Sequence, residues 1–261
     1  MIGADGLHSA VRRLAFGPEA EFREDLGLAV AGFSVPNTFG VDHGGLIYNE
    51  PGRLAMVASG RDPARATVCL MFAGPVPDYD WHDTLGQKRI VAERFAGAAW
   101  QVPALLAALH ETLELYFDTI SQIRLGRWSA GRVAPLGDAA WCPGGNGTGH
   151  TMFGAYTLAG ELALAGGDHA AAFGRYEQIM RPPVAKSRKQ AAGAARFLTP
   201  ATERKIRSRS RNRAYRVLSS PVLSGPFGWL ARRTASTGTL RDYPLAGPAS
   251  PGRAGQLAPG H

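Results

Sequence analysis

Cysteine is scarce in this sequence. Only Cys69 and Cys142 occur among its 261 residues, and they form no C-x-x-C pair. A disulfide framework needs several cysteines and a zinc knuckle needs closely spaced ones, so neither is expected. The scarcity suits a reducing compartment, and we expect a cytoplasmic protein.

Long apolar runs are absent as well. A membrane helix needs about 20 consecutive apolar residues and a secretory signal needs a basic and then an apolar stretch; the chain shows neither. We therefore expect no membrane partner. The apolar content of 45% is ordinary for a globular protein, and the length allows one large or two modest domains with a core.

The common motifs of catalysis are also missing. There is no G-x-S-x-G elbow, no H-E-x-x-H and no Walker loop, and the seven histidines lie at no metal-ligand spacing. We predict no catalytic acid or base and no metal site. A group of polar residues around Trp81 lies close to prolines and is interpreted as a solvated turn: Asp78, Asp80, His82 and Asp83.

Acidic residues almost vanish after residue 180. Residues 1–180 have a net charge of −6, whereas residues 181–261 have a net charge of +14. The arginine-rich stretch 204–216 is interpreted as a solvated helix or tail; the alternative is a patch for nucleic acid or another anionic surface, whose binding would be weak and salt-sensitive. We predict a basic helical region at 201–244 and a disordered tail at 245–261.

The most informative stretch is 131–162. An apolar run at 132–136 predicts a buried strand, which breaks at Gly137-Asp138. A loop rich in Gly and Pro follows, and apolar spacings of three and four predict a helix from about Thr151. Such a helix start offers unpaired N–H groups to a polar ligand, and Asp138 can accept hydrogen bonds from ligand hydroxyls.

A second stretch, GADGLHSAVR at 3–12, predicts the end of a buried strand followed by a helix from about Leu7. Arg12 can offer a fork of donors to a phosphate, and Gly6 permits a close approach of the backbone. Asp5 can organise the turn or bind a ribose or a water. The alternative is a capped helix start with a solvent-facing Arg12.

Both stretches resemble the internal motifs of FAD-dependent monooxygenases, the class A flavoprotein aromatic hydroxylases of the p-hydroxybenzoate hydroxylase type. The resemblance implies that Asp138 holds the ribityl chain of FAD and that Pro143 lies beside the isoalloxazine ring. It implies that the helix start faces the pyrimidine edge of the ring, and that the first motif contacts FAD and the NAD(P)H pyrophosphate. The implied cofactor-binding residues are Asp5, Gly6, Ser9, Arg12, Gly137, Asp138, Pro143, Gly147, Thr148 and Gly149.

The activity implied is a monooxygenase that uses FAD, NAD(P)H and molecular oxygen to hydroxylate an aromatic or polyketide-like molecule. One departure is Thr148, where the family usually has Gln; the segment 138–156 is also a couple of residues short. The alternative is a non-catalytic truncated homologue, or an interaction protein, that binds no FAD by itself. His150 is next to the glycine loop, and we favour a surface histidine over one that faces a flavin.

The fold implied is α/β: a Rossmann-like, doubly wound FAD domain and an antiparallel substrate sheet. The family's N-terminal G-x-G-x-x-G is not found, so we expect an N-terminally truncated FAD domain and weak FAD binding by the chain as given. We predict an FAD-binding domain from residues 1–23 and 124–200, and a sheet domain at 24–123.

Within 24–123, apolar runs separated by turn residues predict strands at 26–35, 45–48, 54–59, 67–72 and 113–123, with helices at 87–95 and 103–110. A further helix is predicted at 167–197, with a kink or restart at Pro182-Pro183. Six side chains of the sheet could line a substrate pocket, although core positions are favoured for each: Phe33, Tyr48, Met56, Met71, Phe72 and Tyr116.

Overall fold

The computed structural model describes residues 1–200 except 61, 78, 145 and 146, together with residues 213 and 240–243; the side chains of residues 195 and 196 are also left out. The predictions for the tail 245–261, and for most of the basic region 201–244, lie outside the described residues. Among the described helices, none combines the length and the apolar character needed to cross a bilayer.

The described part is a mixed α/β structure with seven strands and six α-helices. The predicted strands and helices of 24–123 are confirmed, with ends that move by a few residues. The elements in chain order are β1 (Ile2–Gly3), α1 (Ala10–Phe16), β2 (Arg23–Pro36), β3 (Gly45–Glu50), β4 (Arg53–Ser59), β5 (Arg65–Ala73), α2 (Thr84–Phe95), α3 (Val102–Glu111), β6 (Tyr116–Ile123), β7 (Ala134–Pro135), α4 (Asp138–Trp141), α5 (Gly147–Leu164) and α6 (His169–Leu198).

Five strands form an antiparallel sheet in the order β3-β4-β5-β2-β6. Side chains alternate between its two faces, as the pleat of a strand requires. In β5, Val68, Leu70 and Phe72 are buried and share one core with Val91 of α2 and Leu105 of α3. The other face of the sheet, which carries Met56 and Met71, points away from this core.

The six candidate pocket residues divide between these faces. Phe33 and Phe72 are buried in the core, so the core interpretation is confirmed for both. Met56 and Met71 are half-buried on strands where their neighbours on either side enter the core. Tyr48 packs partly against the core, and Tyr116 is 61% exposed.

A second core joins the first and last parts of the described chain. β1 pairs with β7 in parallel, and β7 leads into α4. Trp141 of α4 donates its Nε1–H to the hydroxyl of Tyr176 on α6 (2.9 Å), and both side chains are fully buried. The strand at the chain start is present, but the prediction that it is buried is wrong for Ile2, which is 41% exposed.

Three predicted boundaries are corrected. α1 begins at Ala10 rather than near Leu7, because Ser9 caps it. α5 begins at Gly147, four residues before the predicted start at Thr151, since its first turn, residues 147–150, holds no apolar side chain and two glycines. α6 continues through Pro182 and Pro183, so the predicted restart is not observed; buried Met180 and Val184 flank the prolines.

Candidate functional site

Asp138 lies where β7 ends and α4 begins. The preceding Gly137 has φ +66°, a left-handed conformation that favours glycine, and a Cβ there would come within 2.8 Å of Thr151 Oγ1. Asp138 Oδ1 is buried, and among the described residues no donor bonds to it. Burial raises the pKa of this carboxyl, an effect opposed by the Cys142 thiol. A buried acceptor without a donor is costly and points to a missing partner.

The N-terminus of α5 is next to this carboxylate. A Cβ on Gly147 would be 3.1 Å from Asp138 Oδ1, so the helix start and the acidic side chain border the same place. Thr148 and Gly149 are exposed in the first turn, while Gly147 is half-buried. The first N–H groups of an α-helix have no partner within the helix, so this end can bind an electron-rich group.

The segment between α4 and α5 is held by β6. The N–H of Ile123 donates to the carbonyl of Cys142 (3.1 Å), and Gln122 Nε2 donates to the carbonyl of Pro143 (3.0 Å). Pro143 is buried. Burial raises the pKa of the Cys142 thiol to about 12, so this cysteine stays protonated and inert.

The first motif forms a doubly capped helix start. Asp5 Oδ1 accepts a hydrogen bond from Ser9 Oγ (2.6 Å), and Asp5 Oδ2 accepts one from the N–H of Val11 (3.0 Å). Ser9 Oγ in turn accepts from the N–H of Arg12 (2.9 Å). Burial works to raise the pKa of Asp5, but the bonds from Ser9 and Val11 outweigh it and lower the pKa. Gly6, with φ +83°, allows the turn.

Arg12 lies inside the protein, so the alternative of a solvent-facing side chain is wrong. Its Nη1 donates to the carbonyl of Ala139 (3.0 Å), and its Nη2 donates to the carbonyl of Leu7 (2.5 Å) and to Glu19 Oε2 (2.6 Å). Both Nη groups therefore bond to the protein itself. Contact with a cofactor phosphate stays a prediction that this geometry does not favour.

Sequence reasoning missed a charged groove of about 920 Å³ beside the first motif. His8 Nδ1 is 2.9 Å from Glu19 Oε1, and His8 Nε2 is 3.3 Å from Asp118 Oδ2 on β6. Hydrogen bonds to Asp118 and Glu19 raise the pKa of His8 to about 9, so His8 is a cation at neutral pH. The residues are too far apart in sequence for any local pattern to connect them.

Two minor predictions have clear outcomes. The prediction that His150 lies on the surface is wrong: His150 is 5% exposed and its ring meets that of Trp141 edge-on at 6.4 Å.

The solvated turn around Trp81 is confirmed for its described members. Asp83 accepts a bond from the N–H of Gly86 and caps α2, and Asp80 pairs with His82 on the surface; Asp78 is not described.

No protein-family model matches the chain. Individual relatives do match. A flavin-dependent monooxygenase of an unknown prokaryotic organism is 37% identical over 188 residues, which cover 70% of this chain and 48% of the relative. The FAD-dependent monooxygenase asL6 of Sarocladium schorii is 31% identical over 199 residues, which cover 70% of this chain and 46% of the relative.

Solved structures agree. The tetracycline destructases Tet(51) and Tet(55) superpose with TM-scores of 0.75 and 0.74 at 27% and 30% identity, over 93% of this chain and 62% of theirs. The fold and these matches define the class of flavin-dependent oxidoreductases. Within that class, the chain belongs to the FAD-dependent monooxygenase family. It spans about half the length of the curated relatives it matches.

Proposed function

We propose that this chain contributes the ribityl and flavin-ring side of an FAD site in an NAD(P)H-using monooxygenase. The observation that carries the proposal is Asp138: a buried carboxylate oxygen, without a donor among the described residues, beside the start of an 18-residue helix. The ribityl chain of FAD carries hydroxyl groups, which are the donors that such an oxygen needs. The described residues therefore fit this cofactor.

The residues divide the work as follows. Asp138 accepts from the ribityl hydroxyls, and Gly137 and Gly147 leave room for the chain to pass, because a side chain at either would crowd Thr151 or Asp138. Pro143 borders the ring, and the N–H groups at Gly147, Thr148 and Gly149 stabilise negative charge on its pyrimidine edge. The bound cofactor supplies the redox chemistry, and the protein supplies position and dryness.

In the first motif, the turn before α1 is shaped by Asp5, Gly6 and Ser9. Arg12 supports the site from within, through the carbonyl of Ala139. We therefore assign the flavin side to residues 1–23 and 124–200 and the substrate side to residues 24–123. The half-buried Met56 and Met71 lie on the sheet face away from the core, where an apolar substrate would rest.

The substrate we propose is an aromatic or polyketide-like small molecule, with molecular oxygen as co-substrate and the cytoplasm as location. The support is the similarity to two enzymes named as tetracycline destructases, and the two free cysteines fit a reducing compartment. Tetracycline itself is therefore the first substrate to test.

The test is cofactor uptake followed by turnover. The purified protein is titrated with FAD, and binding is followed at equilibrium by flavin absorbance and fluorescence without removing free FAD, since the chain is expected to bind FAD weakly. NADH and NADPH oxidation are then measured with and without tetracycline. We expect a saturable change of the flavin signal, and faster oxidation when the substrate is present. A flavin signal that the protein does not change at any FAD concentration would contradict the proposal and favour a homologue without cofactor.

A further inference from the structure

Gln122 of β6 uses its whole side-chain amide inside the protein. It is 1% exposed. Its Nε2 donates to the carbonyl of Pro143 (3.0 Å) and to the carbonyl of Arg188 on α6 (3.0 Å), and its Oε1 accepts from Arg124 Nη2 (3.3 Å). One side chain thus connects the sheet, the segment before α5 and the longest helix.

The residues on either side of Gln122 hold the same segment. The N–H of Ile123 donates to the carbonyl of Cys142 (3.1 Å), and Cys142 Sγ donates to the carbonyl of Ser121 (3.4 Å). A Cβ on Gly144 would lie 3.4 Å from both Gln122 Cγ and the Ser121 carbonyl oxygen. Three consecutive residues of β6 therefore clamp residues 142–144.

Within this clamp, the bond from Gln122 to Pro143 has a distinct role. A proline has no N–H, so the carbonyl is the one backbone group through which Pro143 can be fixed by a hydrogen bond. The bond is buried, so no water replaces it easily when it is lost. The clamp also lies between the two ends of the site, because Asp138 precedes residues 142–144 and α5 follows them.

We propose that Gln122 is a positioning residue that fixes Pro143, and with it the approach of Gly147 to Asp138. The inference rests on the proposed FAD site and extends it to a residue that touches no cofactor. Because Gln122 also bonds to Arg188, a single amide connects α6 with the segment that borders the proposed flavin site. Losing that amide is expected to loosen residues 142–144 without removing any cofactor contact.

The test compares two buried glutamines, Gln122 and Gln87, in different parts of the fold. Each donates its side-chain amide to two backbone carbonyls. Gln122→Met keeps the side-chain length and removes the amide, both its N–H donors and its carbonyl acceptor. Gln87→Met is the matched control, since Gln87 of α2 is 4% exposed and its Nε2 donates to the carbonyls of Asp80 (3.2 Å) and Trp81 (2.9 Å), in the turn before that helix. Amide hydrogen exchange of residues 141–152 is measured without cofactor, and the FAD dissociation constant is measured separately.

We expect Gln122→Met to speed amide exchange across residues 141–152 and to weaken FAD binding about tenfold. Gln87→Met should lower the thermal stability by a comparable amount and change neither the exchange of residues 141–152 nor the FAD dissociation constant. Unchanged exchange in 141–152, or an equal effect of Gln87→Met, would overturn the inference. Protein that takes up no FAD contradicts the proposed function instead, and the exchange comparison still decides the role of Gln122. Should Gln122→Met not fold, Gln122→Asn, which keeps the amide on a shorter side chain, is expected to show the same pattern.

Discussion

Arg12 Nη1 donates a hydrogen bond to the carbonyl of Ala139 at 3.0 Å, across 127 positions of sequence. Ala139 follows Asp138 directly, so this bond joins the two motifs from which the family resemblance was inferred. The guanidinium is fully buried and also pairs with Glu19. An arginine that could have served a phosphate instead connects the two halves of the site.

Arg12→Lys is expected to destabilise the fold by about 2–4 kcal/mol, because an ammonium cannot reproduce the planar fork of this fully buried guanidinium and the partly buried carboxylate of Glu19 loses part of its pairing. Urea unfolding measures the change. Arg53→Lys is the matched control: Arg53 Nη1 also bonds two carbonyls (3.1 Å each) and its Nη2 pairs with Glu50, but its side chain is 28% exposed. It should cost about 1 kcal/mol; equal losses would contradict the account.

The sequence predicted the sheet well, for a physical reason. Strands such as β5 alternate between a core face and an open face, and Gly or Pro ends each run, so the pattern is local. The burial of Arg12 could not be predicted in that way. Its acceptors come from Leu7, Glu19 and Ala139, and those of Leu7 and Ala139 are backbone carbonyls, which carry no sequence signal at all.

His8 should give the fold a measurable dependence on pH. Its folded-state pKa of about 9 lies above the ordinary histidine pKa of 6.5, so the folded state favours the protonated ring. The stabilisation is complete below about pH 6.5 and is lost as the pH rises through 9. Since His8 is half-exposed, we expect a loss on the order of 1 kcal/mol.

Unfolding free energies of the wild type and of His8→Gln, measured at pH 6 and pH 9.5, test this prediction. The charged groups around His8 are the carboxylates of Glu19 and Asp118, with Arg12 and Arg23 beside Glu19. Burial works to raise the pKa of Glu19, but its pairing with His8, Arg12 and Arg23 outweighs it and lowers the pKa, so Glu19 stays ionised over that range. The wild type should lose more stability than the variant between the two values. Parallel pH profiles would show that the pairing in the charged groove does not stabilise the fold.

Gly160 is expected to anchor residues 240–243. A Cβ on Gly160 would come within 2.2 Å of the Tyr243 ring, and the Tyr243 hydroxyl donates to Glu161 Oε1 (2.8 Å). Glu161 is fully buried and also pairs with Arg175 and Arg241. Gly160→Ala should therefore displace Tyr243 and cost about 1–3 kcal/mol.

Limited proteolysis after residue 240 and thermal unfolding are the measurements for Gly160→Ala. Gly174→Ala on α6 is the control, because a Cβ there meets no atom within 4 Å. That change should stabilise the protein by about 0.5–1 kcal/mol, as expected for Gly to Ala in an open helix position. If Gly160→Ala behaves like Gly174→Ala, residues 240–243 are not held at α5.

The start of α5 and the pairing of His8 could not be predicted from the sequence. Apolar spacing located the helix from Thr151 onward, but the first turn at Gly147 has no apolar side chain and a poor helix propensity. The bond between His8 and Asp118 depends on how β6 lies beside the first motif, which is set by tertiary packing. Asp138 could be predicted as a candidate from the sequence because its turn, its glycine and its helix are consecutive.

The most direct test of the account is the FAD affinity and the unfolding free energy of Asp138→Asn, measured on the same protein. Burial raises the pKa of Asp138, so above that pKa the folded state carries a charge that the unfolded chain solvates better. Removing the charge should leave stability unchanged or raise it by up to about 1 kcal/mol. FAD binding should weaken by about 1.5–3 kcal/mol, or roughly ten- to a hundredfold. An unchanged FAD dissociation constant, or a loss of affinity explained by unfolding, would contradict the assignment of Asp138 to the cofactor.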